Sequence, residues 1–135
     1  MSVGQILEHI VISHDAYVSG LRTRLPKAPQ GDGPVKFSRV GSFLIRVAGP
    51  DGDAPIPPPF KPSDSDVPRT ATTAKFFEQQ RQFLELIPAA RGRNLSRARF
   101  PNPVVPILPM NLADVFELFA EHAERHVRQI QARVG

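Results

Sequence analysis

Proline sets the strongest limit on what this chain can fold into. A prolyl residue lacks the amide hydrogen that helices and inner strands need, and its ring collides with the preceding helical turn. The 135 residues include 15 prolines, and ten of these lie between Pro26 and Pro68. Long helices are therefore confined to the flanking stretches. The tract "GDAPIPPPFKPSDSDVPR", residues 52–69, is expected to run extended over the surface as a crossover, not as a boundary between domains.

Outside that tract the apolar residues recur at helical spacing. Residues 2–24 are predicted helical, with Ser2 as cap, Gln5 in capping-box position, and Val3, Leu7, Ile10, Tyr17 and Leu21 along one side. Residues 36–48 place Phe37, Val40, Phe43, Leu44 and Val47 on one face, which predicts a short helix, although "FLIRV" alone would also suit a strand. Residues 71–91 form the next predicted helix, with Phe76, Phe83 and Ile87 on a stripe and Phe77 and Leu84 beside it; Pro88 either ends it early or starts a further turn. After the connection "FPNPVVPILP", Asn111 can cap a last helix of residues 112–133, with Asp114 at its third position and Met110 packed against Val115 as a staple. The expectation is one all-α domain over residues 1–135, a helical bundle whose Pro-rich crossover at about 25–69 gives it a non-simple topology.

Composition narrows the function. A net charge of +4 and a pI near 10.1 invite a nucleic-acid reading. The basic residues are mostly scattered, however, and the one dense group is Arg91, Arg93, Arg97 and Arg99, with Phe100 beside it as a candidate stacking ring. A basic loop after a helix ordinarily complements the helix dipole, so nucleic acid is the least supported partner. The chain has no cysteine, which excludes disulfides, thiolate metal sites and an intrinsic thiol nucleophile. Any reactive thiol must come from outside. No basic segment leads into an apolar run at the N-terminus and no stretch has the length of a membrane span, so a cytoplasmic location is the default expectation.

The residue type in shortest supply carries the chemistry. In "FAEHAERHVRQIQ", Leu112, Val115, Phe119, His122, His126 and Gln129 follow one another at steps of three or four, so both histidines continue the apolar stripe of the last helix. Residues at that spacing are about 5–6 Å apart at Cβ, close enough for both imidazoles to reach one ion. A zinc protease would place Glu directly after the first histidine, and Ala123 stands there instead. A third ligand must come from His9 or His14 on the first helix, which are turned about 140° from each other. Geometry slightly prefers His14, central among Ile10, Tyr17 and Leu21, over His9, which sits toward the edge with Ser13 and Ala16.

Taken together, "SVGQILEHI" and, more than a hundred residues later, "HAERHVRQI" resemble the DinB-like superfamily of bacterial metal-binding four-helix bundles, over nearly the whole chain. The resemblance implies an up-down-down-up bundle and a divalent ion, zinc or nickel, held by His9, His122 and His126. That assignment overrides the geometric preference and leaves His14 as a core residue or one behind the ligands. The resemblance also brings one departure. Family members usually carry a further helix ahead of the segment similar to "SVGQILEHI", and its apparent lack here implies either a shortened start or that residues 36–48 or a second copy of the chain cover an apolar strip, with a homodimer or poor solubility expected.

Three histidines around one ion leave a position open for substrate. By the same resemblance, the expected activity is a thiol-dependent transfer in which the ion activates a low-molecular-weight thiol, with Arg125 or the arginine cluster holding a cosubstrate carboxylate. The alternatives are a metal-dependent hydrolase, with Glu121, Glu124 or Asp15 as base, and a non-catalytic metal- or ligand-binding module.

Overall fold

A computed structural model of the chain describes residues 1–63 and 69–135. Among these, the elements in order are α1 (Val3–Arg24), α2 (Arg39–Ala48), α3 (Arg69–Ala89), β1 (Arg99–Pro101), β2 (Pro109–Asn111) and α4 (Leu112–Val134), with single 3-10 turns at Leu25–Lys27, Pro58–Phe60 and Leu95–Arg97. The fold is mostly helical, as the periodicity predicts, with four helices and one small antiparallel sheet. No helix among the described residues is long and apolar enough to cross a membrane.

The helix ends are set by the residues foreseen for them. Ser2 and Gln5 form a reciprocal capping box on α1. Asn111 and Asp114 do the same on α4, with Asp114 N–H donating to the Asn111 side chain at 2.8 Å and Asn111 N–H to the Asp114 carboxylate at 2.9 Å. Two boundaries differ from expectation. α2 starts at Arg39 because Ser38 is extended and its hydroxyl accepts from Gly41 N–H, which leaves Phe37 outside the helix. Pro88 lies within the last turn of α3, where its missing amide hydrogen and its ring interrupt the helical ladder, and the helix closes one residue later at Ala89.

The connection predicted to be irregular is a hairpin. Phe100 pairs with Met110 and both are buried, while Pro101 and Pro109 close the ladder, where a missing amide hydrogen is tolerated. Between the strands, the Asn102 side-chain oxygen Oδ1 accepts from Val104 and Val105 N–H at 2.8 and 2.9 Å. Strands of three residues are too short to show an alternation in sequence. The hairpin also removes Phe100 from the role of an exposed stacking ring: it is 2% exposed, stacks on Tyr17, and presses on Gly20, where an added Cβ would lie 2.6 Å from the ring.

α1 packs against α3 and α4, and α2 packs against α4. Val18, Leu21, Phe83, Phe100, Met110, Val115 and Phe119 share one buried cluster, within which Phe83 and Phe119 stack at 3.8 Å. The expected faces of two helices shift. On α3 the inward residues are Thr72, Gln79 and Phe83, whereas Phe77, Leu84 and Ile87 are exposed; on α2 Val40, Leu44, Ile45 and Ala48 pack on the core while Phe43 is exposed. α2 is pinned to α4 by a fully buried carboxylate. Asp114 accepts from Ser38 N–H at 2.8 Å and from the Ser38 hydroxyl at 2.6 Å, so a single side chain caps α4 and holds the residue that caps α2. Gly41 makes this possible, since a Cβ there would lie 2.0 Å from the carboxylate carbon.

Candidate metal centre

α1 and α4 lie side by side, and each turns two histidines into their shared interface. The Nε2 atoms of His9, His122 and His126 converge: His9 to His122 is 3.2 Å, His9 to His126 is 3.1 Å, and His126 to His122 is 3.0 Å. Among the described residues these three form a group able to hold a metal ion. His14 is elsewhere. Its Nε2 lies 3.0 Å from Nδ1 of His122, on the far side of that ring from the triangle, and its own ring lies 3.9 Å from that of Phe119.

The second nitrogen of each converging ring has its own partner. His9 Nδ1 faces the Phe60 carbonyl at 2.8 Å, and a carbonyl only accepts, so Nδ1 carries the hydrogen and Nε2 is bare. His126 Nδ1 meets the side-chain oxygen of Gln129 at 2.7 Å with the same consequence. His122 meets His14 instead.

Burial keeps the cluster neutral. Desolvation is the main cause in every case: it lowers His9 below its ordinary value of 6.5 against the raising effect of the Phe60 hydrogen bond, and lowers His126 to about 4 against that of Gln129. It brings His14 to about 3 and lowers His122 further, with neighbouring imidazoles adding to the effect. Arg125 also lowers His9, His122 and His126 through its charge. Neutral imidazole with a bare nitrogen is the form a metal requires.

The donor set fits a divalent ion. A point centred among three nitrogens at these spacings is about 1.8 Å from each, slightly less than the ~2.0–2.1 Å of a zinc–imidazole bond, so an ion at bonding distance from all three needs no rearrangement. Each ring is also oriented through its other nitrogen, as metal-binding histidines usually are.

The triangle opens onto a cavity of about 250 Å³. Its walls come from α2 through Leu44 and Val47, from the Pro-rich tract through Ile56 and Phe60, and from the hairpin loop through Val104 and Leu108. Tyr17 and Asn102 supply polar atoms there, with burial pushing the Tyr17 hydroxyl up to about 12. Arg125 lines the same cavity and donates to the carbonyls of Val47 and Ala54, each at 3.3 Å; among the described residues no carboxylate lies within 4.0 Å of it. Asp15, Glu121 and Glu124 do not line the cavity: Glu121 lies beside Gly49, and Glu124 pairs with Arg128. Of the arginine cluster, Arg93 donates to the Ala28 carbonyl, and the group stands apart from the cavity.

Two contributions were not legible in the sequence. One is the Phe60 carbonyl that orients His9, for which the lone aromatic among the prolines of "PIPPPFKP" is the only signal. The other is the cavity wall built by the crossover and the hairpin loop, which has no local signature.

A four-helix protein with histidines from two helices meeting at an apolar cavity belongs to a recognisable class, and comparison of sequences gives the family. The sequence model of the DinB superfamily matches residues 1–130, and the chain belongs to that superfamily. No curated protein and no solved structure matches it.

Proposed function

We propose that the chain binds one divalent ion, zinc or nickel, through Nε2 of His9, His122 and His126, and uses it in thiol-dependent transfer to a small molecule with an apolar body. The observation that carries this reading is the convergence of three bare or bareable imidazole nitrogens at the base of an open apolar cavity. A bound ion would lower the pKa of a thiol and so raise its nucleophilicity.

The remaining work falls to the chain's own residues. Phe60 and Gln129 hold two of the rings in the tautomer that points a lone pair inward. Leu44, Val47, Ile56 and Leu108 exclude water and select an apolar second substrate. Arg125 supplies the cation at the cavity wall and is the proposed contact for an anionic group on thiol or cosubstrate. The absence of cysteine requires the thiol to be an external molecule.

The test is thiol consumption with a generic electrophile, with and without added zinc or nickel, across several low-molecular-weight thiols. Consumption that needs both ion and protein is expected. Cleavage of an ester or amide without thiol consumption would replace this reading by a hydrolase, for which the cavity offers no carboxylate base among the described residues. With neither reaction, the ion serves binding alone.

A further inference from the structure

We infer that His14 selects which nitrogen of His122 faces the metal site, and so acts as a positioning residue that tunes metal affinity without touching the ion; this rests on the three-histidine reading above. His9 and His126 each turn Nδ1 toward an oxygen, which fixes their tautomers. His122 alone has a second nitrogen that meets a group able either to donate or to accept, the Nε2 of His14 at 3.0 Å.

That freedom matters because three bare lone pairs 3.0–3.2 Å apart repel one another when no cation lies between them. In the metal-free protein a hydrogen on His122 Nε2 relieves this by donating to His9 or His126, and His14 Nε2–H then donates to His122 Nδ1. With an ion bound, His122 must present a bare Nε2. Its hydrogen then resides on Nδ1 and is donated to His14 Nε2, which requires the His14 hydrogen to reside on Nδ1. The exchange balances through solvent: the His122 Nε2 hydrogen leaves to water in the cavity, the His14 Nε2 hydrogen passes to His122 Nδ1, and His14 Nδ1 takes one hydrogen from water, so both rings stay neutral. Among the described residues His14 Nδ1 has no hydrogen-bond partner, in a residue 1% exposed, so no neighbour fixes its tautomer; a hydrogen there is an unsatisfied buried donor, a cost that the bond from His122 Nδ1–H to His14 Nε2 offsets when the ion is bound. The ring's contact with Phe119 holds the geometry in both states.

The probe is zinc alone, titrated against a chromophoric chelator into wild type, His14→Phe and His14→Gln, with ring ¹⁵N NMR of His122 and His14 in the presence and absence of zinc. His14→Phe keeps an aromatic ring against Phe119 and removes the acceptor; its zinc affinity is expected to fall about 10- to 100-fold with stoichiometry still one. His14→Gln, whose amide oxygen reaches the position of Nε2, is expected to recover most of that loss. The NMR is expected to show hydrogen on His122 Nδ1 with zinc and on His122 Nε2 without it. Unchanged affinity in His14→Phe, equal loss in both variants, or a bare His122 Nδ1 in the zinc-loaded wild type overturns the inference while leaving the three-histidine site standing. Wild type that takes up no zinc overturns both.

Discussion

Removing the Asp114 carboxylate should destabilise the fold through two helix starts at once. In Asp114→Ala the backbone N–H groups of Ser38 and Asn111 and the Ser38 hydroxyl lose their acceptor. An N-cap interaction is worth about 1 kcal/mol, and a buried donor left unsatisfied costs roughly 1–3 kcal/mol. With partial water access at Ser38, a loss of roughly 3 kcal/mol follows, a large share of the ~5–15 kcal/mol that holds a typical domain. Urea denaturation followed by circular dichroism measures it. Gly41 sharpens the test, because its hydrogen points at the carboxylate where a methyl would meet it at 2.0 Å. Gly41→Ala is expected to destabilise the wild type. On the Asp114→Ala background the clash is gone, and the same change should stabilise by about 0.5–1 kcal/mol through helix propensity. An Asp114→Ala loss below about 0.5 kcal/mol, within the range of an ordinary surface change, or a Gly41→Ala effect of the same sign on both backgrounds, would refute the clasp.

Alanine at His9, His122 or His126 is expected to abolish stoichiometric zinc, measured by elemental analysis of the purified variants; a triple-alanine variant that keeps one ion per chain would refute the site. In the metal-free protein stability should fall on acidification, because the unfolded chain takes up protons near pH 6.5 while folded His126 resists until about 4 and His14 until about 3. The loss begins as pH drops through 6.5, grows toward 4, and amounts to roughly a few kcal/mol; equal urea midpoints at pH 7.5 and 5 would contradict it. We propose that two copies associate through the exposed Phe77, Leu84 and Ile87 stripe of α3, so Leu84→Lys is expected to shift sedimentation from dimer to monomer, and a wild type monomeric at high concentration would exclude this.

What was legible in the sequence is what local chemistry writes there. The Ser2 and Asn111 caps are short-range hydrogen-bond patterns, and they set the starts of α1 and α4 as read. The exposed side of α3 was not legible, because Phe76, Phe77, Phe83, Leu84 and Ile87 spread apolar character over more than one face, and only packing against α1 and against Phe116 and Phe119 of α4 decides that Phe83 goes inward. The hairpin was hidden for a related reason. Its pairing of Phe100 with Met110 depends on a loop closed by the Asn102 side chain, and prolines at both ends resemble a connection more than a strand.

The choice between His9 and His14 shows where helical phase stops being informative. Phase asks which residue points into the core, and the structure answers that both do, at 2% and 1% exposure. The distinguishing quantity is position along the interface. α1 passes His122 between the levels of its two histidines, so His9 reaches Nε2 of that ring and His14 reaches Nδ1. Their angular offset of about 140° is then what the arrangement needs, since residues on one vertical line of α1 would approach the same edge of the ring. One histidine joins the triangle and the other stands behind it. A spacing that, in sequence, argues against both serving one ion is the spacing that lets them reach opposite edges of one imidazole.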